Sequence, residues 1–192
     1  MTIKQLSRVA FAVIAFACLS ISQHAEAQAK DSENTWRLGI GVEPGLPVGN
    51  DIRYVSRFSL GGSLRLQYDV KGPVSLMLTS GYTNFFGREF TQSIAIGGGK
   101  TVYNNVKFDN YGIIPVKIGA KIFAGQNLYV SAEGGAGFET TGSDKNVKMI
   151  LSPGIGYATN FGLDFGARYD YYSGQNDNFG QVALRIAYGF KL

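Results

Sequence analysis

The chain has 192 residues, with 26 Gly, 11 Tyr and 13 Phe, and a formal net charge of +4. That length fits one domain, and so mild and scattered a charge excludes a nucleic-acid partner of the basic-patch type. The only Cys and the only His, Cys18 and His24, stand close to the N-terminus; a domain beginning after them holds no disulfide and no thiolate or imidazole chemistry.

Lys4 and Arg8 precede an apolar run from Val9 to Ile21, and the small-residue site Ala25-Glu26-Ala27 follows. A basic start, a short apolar core and an A-x-A site are the parts of a secretory signal peptide. The run falls short of the roughly 20 apolar residues that a spanning helix needs. Residues 1–27 are therefore expected to be a signal peptide and 28–192 the domain. A lipoprotein signal ending at Cys18 is the rival. It is disfavoured by Ala15, where Leu is usual, and by bulky Phe16, where a small residue is preferred. Losing Lys4, Arg8 and Glu26 takes the net charge to about +3.

From there period-two alternation, the mark of a β-strand, recurs almost to the end. The first strand sets Trp36, Leu38, Ile40 and Val42 against Arg37, Gly39, Gly41 and Glu43. After a connection from about Pro47 to Arg57, Phe58, Leu60, Leu64, Leu66 and Tyr68 oppose Ser59, Ser63, Arg65, Gln67 and Asp69. The third strand has Val74, Leu76, Leu78 and Tyr82 against Ser75, Thr79 and Thr83. A long insert from about Gly87 to Asn110 follows. Its glycine tip, flanked by Ile94, Ile96, Val102, Tyr103, Val106 and Phe108, predicts a hairpin. The fourth strand alternates Ile114, Val116, Ile118 and Ile122 with Lys117 and Lys121, and the fifth Leu128, Val130 and Phe138 with Ser131 and Glu133. In the sixth, Leu151, Ile155 and Tyr157 oppose Ser152 and Gly154. In the seventh, Phe161, Leu163, Phe165, Tyr169 and Tyr171 oppose Asp164, Arg168 and Asp170. The last sets Val182, Leu184, Ile186, Tyr188, Phe190 and Leu192 against Arg185 and Lys191.

Eight strands of roughly 9–11 residues match the length that crosses a bilayer at a tilt. The connections alternate long and short, beginning and ending long, as in an outer-membrane barrel with long external loops and both termini in the periplasm. The expected fold is all-β, an eight-stranded antiparallel transmembrane β-barrel. Aromatic residues fall at two levels, as headgroup interfaces favour. Trp36, Tyr68, Tyr157, Phe161 and Phe190 are expected near the periplasmic ends, and Phe58, Tyr82, Tyr111, Phe138, Tyr169 and Phe179 near the outer ends. A soluble lipocalin-like periplasmic barrel would turn the apolar face inward and put the Gly-, Ser- and Ala-rich face in water, where it makes a poor surface. That second face suits a narrow lumen filled by side chains. Its charges are of both signs: Glu43, Asp69, Glu133, Asp164 and Asp170 with Arg65, Lys117, Lys121, Arg168 and Arg185. These ten are expected to neutralise one another as a lumen network. Pro115 and Pro153, inside strands, are expected to mark bulges.

The stretches "YGIIPVKIGAKIF" (111–123), "LYVSAEGGAGF" (128–138) and "GLDFGARYDYYSG" (162–174), with a terminal amphipathic strand, resemble the outer-membrane β-barrel domain of the PorT-like type common in Bacteroidota. The resemblance implies the fold and the membrane, and little about activity. Tyr188, Phe190 and Leu192 resemble the terminal signal read by the barrel-assembly machinery, although the chain ends in Leu rather than an aromatic residue.

Other motifs carry less. "IGGGKT" (96–101) lacks the first glycine of a phosphate loop, Ile94 standing in its place, and no strand-to-helix context surrounds it. "GIGVEPG" in the first strand likewise fails the dinucleotide pattern. The lumen carboxylates could be read as an acid–base group, but the barrel enzymes (lipid A deacylases, phospholipases and omptin proteases) rely on a His that the mature chain lacks. The chain reads as a non-enzyme without cofactor or metal, with lipid bilayer and lipopolysaccharide as its surroundings. Structural or adhesive action through the loops, with the 87–110 segment and its Arg88, Lys100 and Lys107 as main contact surface, is the expected function. A small transporter or channel is the alternative.

Overall fold

An apolar strand face must meet something apolar, and an unpaired strand edge in hydrocarbon is costly; closing a sheet on itself answers both. The computed structural model describes residues 34–70, 72–96, 100–141, 146–174 and 178–192. Residues 1–33, with the expected signal peptide, lie outside it. The elements are β1 (Thr35–Val48), α1 (Asn50–Val55), β2 (Ser56–Asp69), β3 (Val74–Gly87), β4 (Glu89–Ile96), β5 (Lys100–Lys107), β6 (Tyr111–Ala124), β7 (Leu128–Glu139), β8 (Val147–Ala158), β9 (Leu163–Ser173) and β10 (Asn178–Lys191). Eight of the strands form a closed barrel in the order β1-β10-β9-β8-β7-β6-β3-β2, while β4 and β5 make a separate two-stranded sheet. Every neighbouring pair is antiparallel, and pairs such as Leu38↔Phe190 and Val42↔Ile186 join the last strand to the first.

The barrel strands run to 14 residues in β1, β2, β3, β6 and β10. At about 3.3 Å per residue that is roughly 46 Å, so even at a tilt of about 40° their ends stand clear of a hydrocarbon layer about 30 Å thick. β1 accordingly continues through Pro47 and Val48 instead of turning there. One end of the barrel carries the three short turns, each with a positive-φ glycine: Gly72, Gly125 and Gly162. The other end, the loop end, carries α1, the β4–β5 hairpin and the two remaining connections.

The prolines behave differently from the expectation. Pro153 pairs with Ala132 of β7, while pairing with β9 lapses between Leu151↔Tyr171 and Gly154↔Arg168 and then resumes in the same register. Pro115 does likewise, paired with Gly137 but leaving a gap toward β3 between Ser80↔Val116 and Thr83↔Ile113. Pro44 opens the same kind of gap toward β10. A missing N–H removes a ladder bond on one side only, and no residue is inserted, so neither Pro115 nor Pro153 is a bulge. Among the described residues a register shift lies instead between Ser56 and Phe58.

Polarity is inverted relative to a soluble protein. Ile40, Leu64, Ile118, Leu151 and Leu184 are at least half exposed, whereas Arg65, Lys117, Lys121, Glu133, Asp170 and Arg185 are all at most 5 % exposed. An apolar band around the whole barrel exceeds anything a soluble monomer leaves in water. The lipocalin alternative, with the apolar face inside, is thereby overturned.

Candidate functional site: the filled lumen and the loop-end rim

Odd-numbered residues of β1, β2, β3, β6, β7 and β10 and even-numbered residues of β8 and β9 point inward, because successive strand residues alternate faces. At the turn end, Asp69 accepts hydrogen bonds from Arg37 Nε (2.8 Å), Gln67 Nε2 (2.6 Å) and Ser75 Oγ (2.7 Å). Lys121 pairs with Asp164, which also accepts from the Tyr129 hydroxyl, and the ammonium lies 4.1 Å from the Tyr129 ring centroid.

Glu43 is the hub of the middle. It accepts from Arg168 Nη2 (2.6 Å), Arg185 Nη1 (2.6 Å) and Ser63 Oγ (2.7 Å). Arg168 Nε reaches on to Asp170 at 2.9 Å, and Asp170 takes Lys117 Nζ at 3.3 Å. Arg65 donates to Thr79 Oγ1 (3.0 Å) and to Glu133 (2.6 Å). All ten charged residues singled out from the sequence thus lie in this lumen, together with Arg37, Glu139 and Lys148, which were not singled out. Among the described residues, nine ion pairs join seven cations to six carboxylates. Buried charge is tolerable only when paired in this way, and removing one partner of such a set is strongly destabilising.

Toward the loop end the filling turns apolar. Phe85, Ile113, Ile150, Tyr172 and Phe179 form one buried cluster, with Tyr172 and Phe179 stacked at 4.7 Å. The Tyr172 hydroxyl donates to Gln181 Oε1 (3.1 Å), and Gln181 Nε2 to Ser59 Oγ (2.8 Å). Near the mouth Lys148 meets Glu139 at 3.3 Å. Sequence reading missed this apolar plug, although strand parity carried it: Phe85 steps in twos from Thr79, Ile150 from Ser152, and Tyr172 from Asp170.

Two expected girdle residues are corrected by the same parity. Phe179 shares its face with Arg185 and is 7 % exposed. Tyr111 shares its face with Lys117, packs 5.7 Å from Phe85 and donates to Glu139. Both rings fill the barrel instead of facing lipid headgroups. At the turn end Trp36, Tyr157, Phe161 and Phe190 are exposed, with Tyr68 packed 4.7 Å from Trp36; Phe161 sits in the β8–β9 turn rather than in a strand. Phe58, Tyr82, Phe138 and Tyr169 are exposed near the loop end, and Phe86 stacks on Phe58 at 5.8 Å.

Above the barrel mouth, α1 and the β4–β5 hairpin brace each other. Arg88 N donates to Val55 O (2.8 Å), Arg88 Nη1 to Arg53 O (3.2 Å) and Phe108 N to Arg88 O (2.9 Å). Tyr54 packs edge-on against Phe90 and Phe108 at 5.3 and 5.7 Å. Farther out Thr91 donates to Asn105 (2.8 Å), and Tyr103 is 72 % exposed. The side chains of Ile94, Ile96, Lys100 and Val102 lie outside the described part. Arg53, Arg57 and Lys107 are exposed beside this rim. Among the described residues no group of three His, Cys, Asp or Glu could hold a metal ion.

The family model of the outer membrane protein beta-barrel domain matches residues 11–190. The chain belongs to that family. It is an outer-membrane β-barrel, and its apolar band spans the lipid bilayer. The crystal structure of Ail, the attachment invasion locus protein of Yersinia pestis, is similar at a TM-score of 0.55 and 16% identity, covering 83% of this chain and 100% of that one. The N-terminal beta-barrel domain of Pseudomonas aeruginosa OprF follows at 0.51 and 13%, covering 85% and 100%. A further Ail crystal structure, in complex with the heparin analogue sucrose octasulfate, matches at 0.54 and 17%, covering 83% and 100%. Identities this low establish the fold alone. No curated protein matches the sequence.

Proposed function

We propose that this barrel passes no solute and acts through its loop-end rim, as a non-enzymatic outer-membrane protein that contacts anionic glycan at the cell surface. The observation that carries the reading is the filling of the lumen by ion pairs across its middle and then, toward the mouth, by the Phe85–Ile113–Ile150–Tyr172–Phe179 plug. With no way through, the external surface is where action remains. That surface has a braced aromatic base and basic residues at Arg53, Arg57, Arg88 and Lys107, against Glu89 and Asp109. Such residues suit phosphorylated or sulfated sugars. Lipopolysaccharide is the nearest of these, and Ail in complex with a heparin analogue supports the same chemistry on a similar scaffold. The reading places loops outside and both termini in the periplasm, after removal of residues 1–27 and insertion by the barrel-assembly machinery. A PorT-like Bacteroidota origin agrees with it.

Replacing Arg53, Arg57 and Lys107 together by Gln tests the proposal. The variant should fold, keep different gel mobilities when boiled and unboiled, and lose binding to immobilised lipopolysaccharide and heparin. Undiminished binding in a folded variant would defeat the rim assignment. Stable porin-like currents from the wild type in planar bilayers would defeat the closed lumen.

A further inference from the structure

At the turn end the lumen filling leaves a cavity of about 40 Å³, lined on its polar side by Arg37, Arg65, Lys121 and Arg185 with a single carboxylate, Asp164, and by Gln67 and Thr159. Arg37 and Arg185 pair with Asp69 and Glu43, which lie outside the lining, while Arg65 pairs with Glu133 behind it at 2.6 Å and with Asp164 at 4.0 Å; Asp164 also pairs with Lys121. Four cations thus share one carboxylate within the lining, the other partners lying behind. Arg185 is 3 % exposed, yet its Nε has no hydrogen-bond partner among the described residues.

Two of the three glycines in the lining border open space, while a Cβ at the third, Gly162, would lie 2.7 Å from the Gly189 carbonyl oxygen. A Cβ added to Gly39 or Gly189 would meet nothing closer than 3.6 and 3.7 Å respectively. A Cβ at other lumen glycines would collide, at 2.8 Å for Gly41, 2.1 Å for Gly45 and 2.1 Å for Gly119. Charge points the same way. Seven cations share six carboxylates in the lumen ion pairs, and a surplus charge in a low-dielectric interior is costly.

We propose that this turn-end cavity is a binding site for a small oxoanion of phosphate size, held by Arg37, Arg65, Lys121 and Arg185 and supplying the missing negative charge. Guanidinium donors in a partly enclosed site favour such an ion over chloride, because planar forks bond pairs of oxygens. The inference does not rest on the loop-end function; the two sites lie at opposite ends of the barrel.

Detergent-solubilised wild-type protein titrated with inorganic phosphate at constant ionic strength, followed by phosphorus NMR line broadening, tests it. Saturable broadening is expected, with chloride competing poorly. Gly39→Val, which fills the cavity, and Arg37→Gln, which removes a cation from its lining, should each weaken binding by about ten-fold or more, as losing one charge-assisted contact does. Heat-dependent gel mobility shows which variants are closed, and Gly189→Val replaces any that is not. Glucose phosphate in place of the free ion should bind far more weakly, the cavity being too small for the sugar. Four results would overturn the proposal: no saturable broadening with wild type, undiminished binding in a closed cavity-filled variant, equal binding of glucose phosphate, or loss of binding in an Arg88→Gln, Lys107→Gln control at the rim.

Discussion

Replacing Glu43 by Gln removes one charge and leaves the outline of the side chain unchanged. In the wild type that carboxylate takes two charge-assisted bonds of 2.6 Å, from Arg168 and Arg185, and a third bond of 2.7 Å from Ser63. Glu43, Arg168 and Arg185 all have side chains less than a tenth exposed. Bonds to charged groups contribute about 1.5–3 kcal/mol each, and the amide oxygen of Gln keeps only part of this. Arg168 retains Asp170 at 2.9 Å, so its charge is not stranded. Arg185 has no other carboxylate in an ion pair and is left buried and unmatched. A loss of about 3–5 kcal/mol follows, the usual cost of breaking a buried pair from one side. Urea unfolding of the protein refolded into detergent or liposomes reads it directly. With a slope of about 2 kcal/mol per molar, the midpoint should fall by about 1.5–2.5 M. Adding Arg185→Gln should then cost less than Arg185→Gln does alone, since the stranded cation goes too. Glu89→Gln on the exposed hairpin should change stability by no more than about 0.5 kcal/mol. A loss below about 1 kcal/mol at Glu43, the range of a solvent-exposed pair, would refute the reasoning. It would mean that water fills the lumen and solvates both guanidiniums.

Other substitutions probe the remaining levels of the structure. Ile118, midway along β6 and 70 % exposed, faces hydrocarbon, so Ile118→Arg should cost about 2–4 kcal/mol in liposome refolding; a neutral result would remove it from the lipid face. The neighbours Gly134 and Gly135 should respond oppositely to alanine. A Cβ at Gly134 meets nothing closer than 3.9 Å, whereas one at Gly135 would lie 2.0 Å from the Val116 carbonyl oxygen. Gly135→Ala should lose at least about 1–3 kcal/mol or heat-dependent mobility altogether, and equal tolerance of the two would contradict the strand packing. Phe85→Ala should cost about 3–5 kcal/mol by hollowing the loop-end plug. Its bilayer conductance should nonetheless stay closed, because the ion-pair layer below remains; a steady current would show that the aromatic plug alone seals the barrel.

The sequence by itself determined the local geometry. Period-two alternation is a property of neighbouring residues, so it marked eight strands, divided each into an apolar and a polar face, and set the ten network charges on the same face. The long–short rhythm of connections is equally local, and it separated the turn end from the loop end. Partners were another matter. Glu43 and Arg185 are 142 positions apart, Arg65 and Glu133 68 apart, and which charge meets which depends on the tilt and stagger that strands take when the sheet closes. The same long-range geometry decided that Phe179 and Tyr111 pack with Phe85 inside the barrel; residue type suggested an interfacial belt, and parity close to a strand end was too short a signal to oppose it. It decided too that Pro115 and Pro153 interrupt one ladder each without shifting register, since a bulge depends on how both flanking strands are held and not on the proline alone. Only the tertiary structure placed α1 against the hairpin, because the Tyr54, Phe90 and Phe108 rings that join them come from three separate segments. And only closure left the cationic cavity beside Gly39 and Gly189, a space that exists between strands and is written in none of them singly.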